Sequence, residues 1–176
     1  MKEEYKRLEE WTNHKIGNIL FDSDRDDWDI NTSVFNQRIL NKNDVLILIQ
    51  TETNIVFGTY IHAKINRIME QHEEGWYGGI VDSESFLFTT NGGTLQRFNH
   101  KQGRTYAIAL WPDNTNWLFN LGLNEVFIWK KSQASNSNCE QEESSSYNYR
   151  GIRNAVVGCC NPQCFTPKRI FVYQMK

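Results

Sequence analysis

The chain has 176 residues, of which 23% are charged and 13% aromatic, and its formal net charge is −2. This length suits one domain spanning residues 1–176, which can bury roughly 70% of the surface that its unfolded chain exposes. The composition excludes disorder of the whole chain. The small net charge gives no global field toward nucleic acid or an acidic membrane, so such a partner would need a local patch.

The sequence contains no stretch that approaches the ~20 consecutive apolar residues of a membrane helix. Its first eleven residues also lack the apolar run of a secretory signal. We therefore expect no membrane span and a cytoplasmic or nuclear location. In such a reducing compartment the four cysteines are expected to be thiols rather than a disulfide framework.

The first twenty residues predict an amphipathic helix, because apolar residues recur about every 3.6 positions. These residues are Tyr5, Leu8, Trp11, Ile16, Ile19 and Leu20. A second, short helix is predicted over Val34–Leu40, with Thr32 or Ser33 as its N-cap. Asn41 should follow its end.

The hydrophobic period then changes to that of strands. Val45–Ile49 is a continuous apolar run, which predicts a strand covered on both faces. A turn and the run Ile55–Ile65 complete a hairpin, in which Gly58 marks a bulge or a close contact. Further strands are predicted at 86–89, 106–111, 126–129 and 170–173. Many short strands without alternating helices favour a mainly β (α+β) fold, an antiparallel two-sheet β-sandwich with peripheral helices.

Two segments are predicted to be loops. Residues 68–79 are polar and contain several glycines, and residues 132–146 are almost wholly small or polar. The second segment lacks the apolar residues that would hold it down, so we expect a flexible loop there.

The sequence gathers no catalytic set in one place. The candidate bases His14, His62, His72 and His100 are scattered, and no G-x-S-x-G motif occurs. The glycines of residues 75–79 lack the Lys and Ser/Thr of a phosphate loop. Asp82 and Glu84 fit a solvated turn better than a proton-transfer site. We expect no enzymatic activity, no catalytic residue and no cofactor.

Five aspartates imitate the start of a calcium loop, namely Asp22, Asp24, Asp26, Asp27 and Asp29. Asp27 stands where the sharp turn needs Gly, and Ser33 stands where a bidentate carboxylate is needed. We therefore expect a solvated acidic loop and no metal.

Three cysteines are close in sequence: Cys159, Cys160 and Cys164. They are candidates for a reversible disulfide under oxidant, although the C-x-x-C spacing of zinc sites is absent. Ordinary buried or idle thiols are the alternative.

Residues 147–176 contain five basic residues and no acidic residue, with aromatic residues between them. Arg150, Arg153, Lys168 and Arg169 are thus candidates for contact with phosphates of nucleic acid or lipid headgroups. The alternative is that these cations balance the acidic first thirty residues.

The motif order resembles the TLDc domain family. The resemblance rests on Leu20–Asp26, the helix through Phe35, the run Val45–Ile49, Val56–Gly58, Ser85–Phe88 and Phe171–Met175. It implies a β-sandwich with helices at its edges and a link to protection from oxidative stress. In several members it also implies contact with the proton-pumping vacuolar ATPase. It brings no agreed catalytic residues.

The leading hypothesis is therefore a non-enzymatic TLDc-like module of the oxidative-stress response that acts through a protein partner. The alternative is a stress-linked DNA-binding transcriptional regulator that uses the basic, aromatic C-terminal segment. An enzyme whose site is assembled from distant residues is a third possibility.

Overall fold

A computed structural model describes residues 2–141, 145–158 and 164–176. Short strands dominate these residues. In chain order the elements are α1 (Lys2–Thr12), β1 (Ile16–Asp22), α2 (Phe35–Ile39), β2 (Val45–Thr51), β3 (Val56–Ile61), β4 (Glu70–His72), β5 (Gly75–Tyr77), β6 (Ile80–Val81), β7 (Phe86–Thr89), β8 (Gln96–Asn99), β9 (Tyr106–Leu110), β10 (Trp117–Leu121), β11 (Val126–Trp129), a 3₁₀ helix (Lys131–Asn136), β12 (Asn138–Cys139) and β13 (Pro167–Met175).

The strands form two antiparallel sheets and one separate hairpin. The six-stranded sheet has the order β1-β13-β2-β3-β7-β8, and the five-stranded sheet has the order β12-β11-β10-β9-β6. The hairpin consists of β4 and β5. This arrangement confirms the predicted antiparallel β-sandwich.

One apolar core joins the two sheets. Phe21 of the six-stranded sheet contacts Phe35 of α2 edge-on at 4.9 Å, and Phe35 stacks on Phe119 of the five-stranded sheet at 5.0 Å. All three side chains are fully buried. Burying an aromatic side chain of this size is worth roughly 1.5–3 kcal/mol, so α2 helps to hold the sheets together.

The predicted central strand and its hairpin are confirmed. Residues 45–49 lie in β2 and are buried on both faces, and β2 pairs with β3 without a register shift. A Cβ at Gly58 would overlap the Ile47 carbonyl oxygen. Gly58 is therefore a close-contact site and not a bulge.

The helix predicted for the first twenty residues is wrong beyond Thr12. Asn13 has a left-handed backbone (φ 56), and the Thr12 hydroxyl donates to the Leu8 carbonyl at 2.9 Å. From Ile16 the chain is β1, which pairs with β13. The apolar spacing fitted a helix, but hydrogen bonds to a distant strand decide the local structure.

The short second helix is confirmed as α2, which ends before the left-handed Asn41 (φ 65). Its N-cap was predicted wrongly, since Val34 occupies that position. The Ser33 hydroxyl still accepts the Phe35 amide at 3.2 Å.

The two predicted loops contain regular structure. Residues 68–79 include the β4–β5 hairpin, and residues 132–146 include most of the 3₁₀ helix and β12. Polar contacts anchor the second segment. The Ser132 hydroxyl donates to Asp29 at 2.6 Å, and the buried Ser137 hydroxyl accepts the Trp129 amide at 3.1 Å. Its flexibility stays a prediction.

A buried lysine fixes the loop between β9 and β10. Lys130 is 1% exposed, and its Nζ donates to the carbonyl oxygens of Pro112, Asp113 and Thr115 at 2.8, 2.6 and 2.8 Å. Burial lowers the pKa of this amine. Three carbonyl dipoles compensate for the lost water, so Lys130 ties the end of β11 to this loop.

Candidate functional site

A polar cleft of about 520 Å³ opens between the C-terminal end of α1 and the ends of β3, β7 and β8. It is lined by Trp11, Thr12, Asn13, His14, Tyr60, His62, Ser83, Glu84, Ser85, Phe86, Arg97, Asn99 and His100. Three of the four histidines that are scattered in sequence thus meet in one place.

One side of the cleft is built around Asp44. Its Oδ1 accepts a hydrogen bond from the Tyr60 hydroxyl and lies 2.7 Å from both that hydroxyl and His62 Nδ1. Burial opposes ionisation of Asp44, but these two contacts outweigh it and the pKa lies below its usual value. The same contact raises the pKa of His62. The pair therefore favours a carboxylate and an imidazolium.

Asp82 is an internal anchor beside this pair. It is 6% exposed, and its Oδ2 accepts the backbone amides of His62 and Ala63 at 2.7 and 3.0 Å. The prediction of a solvated turn is therefore wrong for Asp82, because its carboxylate fixes the chain after β3. It is right for Glu84, which is exposed.

The opposite side contains a Ser–His contact that superficially resembles a nucleophile with its base. Ser85 Oγ lies 2.7 Å from His100 Nε2, but it also donates to the Asp82 carbonyl at 3.0 Å. With its proton directed at that carbonyl, the hydroxyl accepts from His100 and cannot transfer its proton to it. Ser85 is also only 2% exposed.

The base lacks the third member of a catalytic triad. His100 Nδ1 is buried and has no hydrogen-bond partner within residues 2–141, 145–158 and 164–176. Burial lowers the pKa of His100, which keeps the ring neutral. Tyr147 stacks on this ring at 4.2 Å and its hydroxyl lies 3.1 Å from Ser85 Oγ. This geometry is that of a structural bridge between β7, β8 and the segment at Tyr147.

The cleft also holds a desolvated cation. The guanidinium of Arg97 lies 3.9 Å from the Phe86 ring centre, and its Nε donates to Asn99 at 2.8 Å. Burial lowers the pKa of Arg97. The cleft can thus hydrogen-bond a polar group, and the one serine in it that contacts a histidine, Ser85, is buried.

The comparison with protein families decides the identity. The model of the TLDc domain matches residues 2–166, which is nearly the whole chain. The chain belongs to the TLDc domain family. The resemblance seen in the motif order is thereby confirmed. Among curated proteins, no relative matches the chain.

The four basic candidates of this TLDc domain do not form one patch. Arg150 donates to the Arg97 carbonyl at 3.1 Å and therefore lies beside β8. Lys168 and Arg169 lie on β13, four strand positions away in the same sheet, or roughly 19 Å at 4.8 Å per strand. Arg153 and Lys168 are exposed.

Arg169 is ion-paired with the acidic segment near the start of the TLDc domain. Its guanidinium pairs with Asp22 and Asp24, both at 3.0 Å, and stacks over Phe171 at 4.3 Å. Burial opposes ionisation of Asp22, but Arg169 outweighs it and the pKa of Asp22 is lowered. For this residue the structure fits the interpretation that C-terminal cations balance N-terminal acids.

The other aspartates of that segment also make local contacts. Asp26 pairs with Arg38 at 3.1 Å, and Asp27 and Asp29 accept backbone amides. The prediction of a solvated loop is wrong for Asp22, which is 4% exposed. In the part of the chain that the structure describes, no three acidic, His or Cys side chains converge as a metal site would require.

The redox candidates are only partly covered by the described residues. Cys159 and Cys160 lie outside them. Cys164 is exposed and its backbone forms an isolated antiparallel β-bridge with Asn138, whereas Cys139 is buried. Redox activity of these thiols stays a prediction.

Sequence reasoning missed the cleft, because its residues come from four separate segments that lie between positions 11 and 100. One signal could have revealed part of it. Asp44 precedes β2 and His62 follows β3, so an antiparallel hairpin brings them side by side. Polar residues that flank the two strands of a predicted hairpin at its open end can therefore be expected to lie side by side.

The helices of the described residues are too short and too polar to cross a bilayer.

Proposed function

We propose that this TLDc domain is a non-enzymatic module of the oxidative-stress response that acts by binding a protein partner. The observation that carries the proposal is the family match over residues 2–166. The family resemblance makes the vacuolar ATPase one candidate partner, and a cytoplasmic or nuclear location is part of the proposal.

The geometry of the cleft supports the non-enzymatic part of the proposal. The Ser85 hydroxyl is buried and donates to a backbone carbonyl, and His100 has no orienting carboxylate among the described residues. A serine activated by histidine needs both access and an oriented base. The contact therefore serves folding better than catalysis.

The test of partner binding is affinity capture of the tagged domain from cell extract, with and without peroxide. We expect specific recovery of a protein, quantified against a tag-only control. Recovery no higher than that control under both conditions would contradict the proposal.

Treatment with a fluorophosphonate probe tests the non-enzymatic part. We expect no covalent labelling of Ser85, while a serine hydrolase added to the same reaction is labelled. Labelling that disappears in Ser85→Ala would show an activated serine and overturn this part.

The link to oxidative stress includes the redox candidates. After mild peroxide, mass mapping should find oxidation at Cys159, Cys160 or Cys164 and little at Cys139, which is 0% exposed. Equal oxidation at Cys139 would mean that the domain had unfolded, and no oxidation at the other three would remove them as sensors.

DNA binding by the C-terminal segment receives less support, because the candidate cations are divided between two places and Arg169 is ion-paired. An electrophoretic shift that weakens steeply with salt, and that is lost when Arg150, Arg153, Lys168 and Arg169 become Ala, would favour it.

A further inference from the structure

The outer face of the five-stranded sheet carries a continuous series of aromatic rings, which we call the tryptophan face: Trp76, Trp111, Trp117, Phe127 and Trp129. The ring centres of Trp76 and Trp111 are 5.0 Å apart, and those of Trp111 and Trp117 are 4.7 Å apart. Trp117 then contacts Trp129 at 5.7 Å and Phe127 at 6.4 Å.

Strand alternation shows that these rings point away from the core. On β11, Val126 and Ile128 are fully buried in the core, whereas Phe127 and Trp129 point to the other side and are partly exposed. The solvent face of an antiparallel sheet usually carries polar residues. Packing of the core therefore does not explain why these outward positions carry aromatic residues.

Neither α-helix covers this face. The residues of α1 pack on the six-stranded sheet, and Phe35 of α2 lies in the core between the sheets. Trp111 is nearly buried by its neighbours, but Trp76, Trp117, Phe127 and Trp129 each stay partly exposed. The face is thus preassembled by its own ring contacts, and four of its rings keep part of their surface exposed.

The β4–β5 hairpin carries negative charge at its tip, two and three residues before Trp76. The tip residues Glu73 and Glu74 are exposed, and residues 70–77 contain no Lys or Arg. Glu70 is also exposed, but it pairs with Tyr77 and so lies on the face of the hairpin opposite to Trp76. Lys130, at the end of β11, has its charge buried against three carbonyl oxygens, whereas Lys131 is exposed near the Trp129 end of the series.

We propose that the tryptophan face and the acidic hairpin form the docking surface for a partner segment that presents apolar side chains next to Lys or Arg. This inference rests on the proposed function, that the domain acts through a protein partner. Tryptophan is enriched among residues that dominate interface energies. Partner cations can both pair with Glu73 and Glu74 and stack on the indole rings.

A defined peptide pair tests the chemistry of the surface. The probes are an 18-residue amphipathic helix of Leu and Lys and its counterpart with Glu in place of Lys, each with a fluorescent label. Fluorescence anisotropy should show the wild-type domain binding the Lys peptide at least about tenfold more tightly than the Glu peptide. Equal affinities would overturn the proposal.

Variants locate the binding. Trp76→Ala should weaken binding of the Lys peptide about tenfold, and Glu73→Gln with Glu74→Gln should weaken it severalfold and flatten its salt dependence. Glu3→Gln with Glu10→Gln on α1 is the control, because it removes the same charge from the other sheet's helix and should leave binding unchanged. If the α1 control weakens binding as much as the hairpin variants, the effect is global charge and the proposal fails.

A second measurement separates this inference from the proposed function. The capture from cell extract is repeated with the same variants, each first shown to have the wild-type urea midpoint. If the wild type recovers a partner that Trp76→Ala also recovers fully, the docking surface is wrong and the proposed function stands. In the opposite case, neither the wild type nor any variant recovers a protein, but the variants weaken binding of the Lys peptide as expected. The docking surface then stands and the proposed function fails.

Discussion

The two sheets of this TLDc domain differ in how their outer faces are covered. On the six-stranded sheet, α1 places Leu8 against Leu46, Leu48 and Phe88 in a second apolar cluster, and Leu8 is 1% exposed. On the five-stranded sheet, Trp76 from the hairpin contacts one end of the aromatic series, and neither α-helix reaches it. The same fold thus closes one face with its own helix and leaves the other partly exposed.

This difference indicates different roles for similar apolar material. A face closed from within contributes to the free energy of unfolding, because its apolar area is removed from water in the isolated domain. A face that is open gains that contribution only when a partner covers it. Stability and binding should therefore respond to mutations on different sheets, and the following changes test that separation.

The largest effect is expected for Leu8→Ala on the covered face. Removing a buried leucine side chain and leaving a cavity should lower the free energy of unfolding by about 3 kcal/mol. Urea denaturation followed by circular dichroism measures this loss. Trp76→Ala, on the partly exposed face, should cost less than about 1 kcal/mol. If the two variants lose equal stability, the faces do not differ as proposed.

A smaller effect is expected for Lys130→Met, which keeps most of the side-chain volume but removes the charge under the loop at 112–115. The three carbonyl oxygens lose their shared donor, and we expect a loss of about 2 kcal/mol in the free energy of unfolding. Lys131→Met changes the adjacent, exposed lysine and should stay within about 0.5 kcal/mol of wild type. A Lys130→Met domain as stable as this control would show that the loop does not depend on the ammonium group.

The smallest effect is a pH dependence at the α1 end of the covered sheet. The pKa of Asp44 is lowered, so its contribution to stability is present above its unfolded value of 3.8 and is lost as the pH falls. The pKa of His62 is raised, so its contribution is full below 6.5 and is lost as the pH rises through the folded value. The pair should therefore stabilise most between about pH 4 and 6.5.

Because the His62 side chain is 45% exposed, solvent screening limits the gain to less than about 1 kcal/mol. The measurement is the urea midpoint from pH 4 to 9 for wild type and His62→Gln. We expect the two curves to converge above the folded pKa of His62 and to separate below it. A constant offset across the range would assign the effect to packing and not to charge.

The apolar runs predicted the centre of the fold well. Three apolar runs combine a high strand propensity with burial in a strand: Val45–Ile49, 86–89 and 126–129. Local pattern and tertiary structure require the same conformation there. Residues 16–20 failed because their spacing suits a helix equally well, and only the pairing with β13 selects the strand. The β4–β5 hairpin was missed because its strands are only three residues long and β4 is wholly polar.

The candidate surfaces were less predictable than the fold. The cleft needs His14, His62 and Ser85 to be brought together by strand order, and the hairpin pattern alone places only His62, beside Asp44. The tryptophan face needs Trp76 from a hairpin and Trp111 from the end of β9 to meet. Composition revealed six tryptophans, but the placement of four of them on one outer face follows from strand alternation and sheet topology together.

The position of β13 has a consequence for how the polypeptide matures on the ribosome. Residues 167–175 are inserted between β1 and β2, so strands made early in synthesis stay apart until a much later segment joins them. Pairings this distant in sequence close large loops and slow the search for the native topology. The nascent chain must therefore keep two unpaired strand edges from aggregating during translation, and a premature stop before residue 167 would leave that sheet permanently divided.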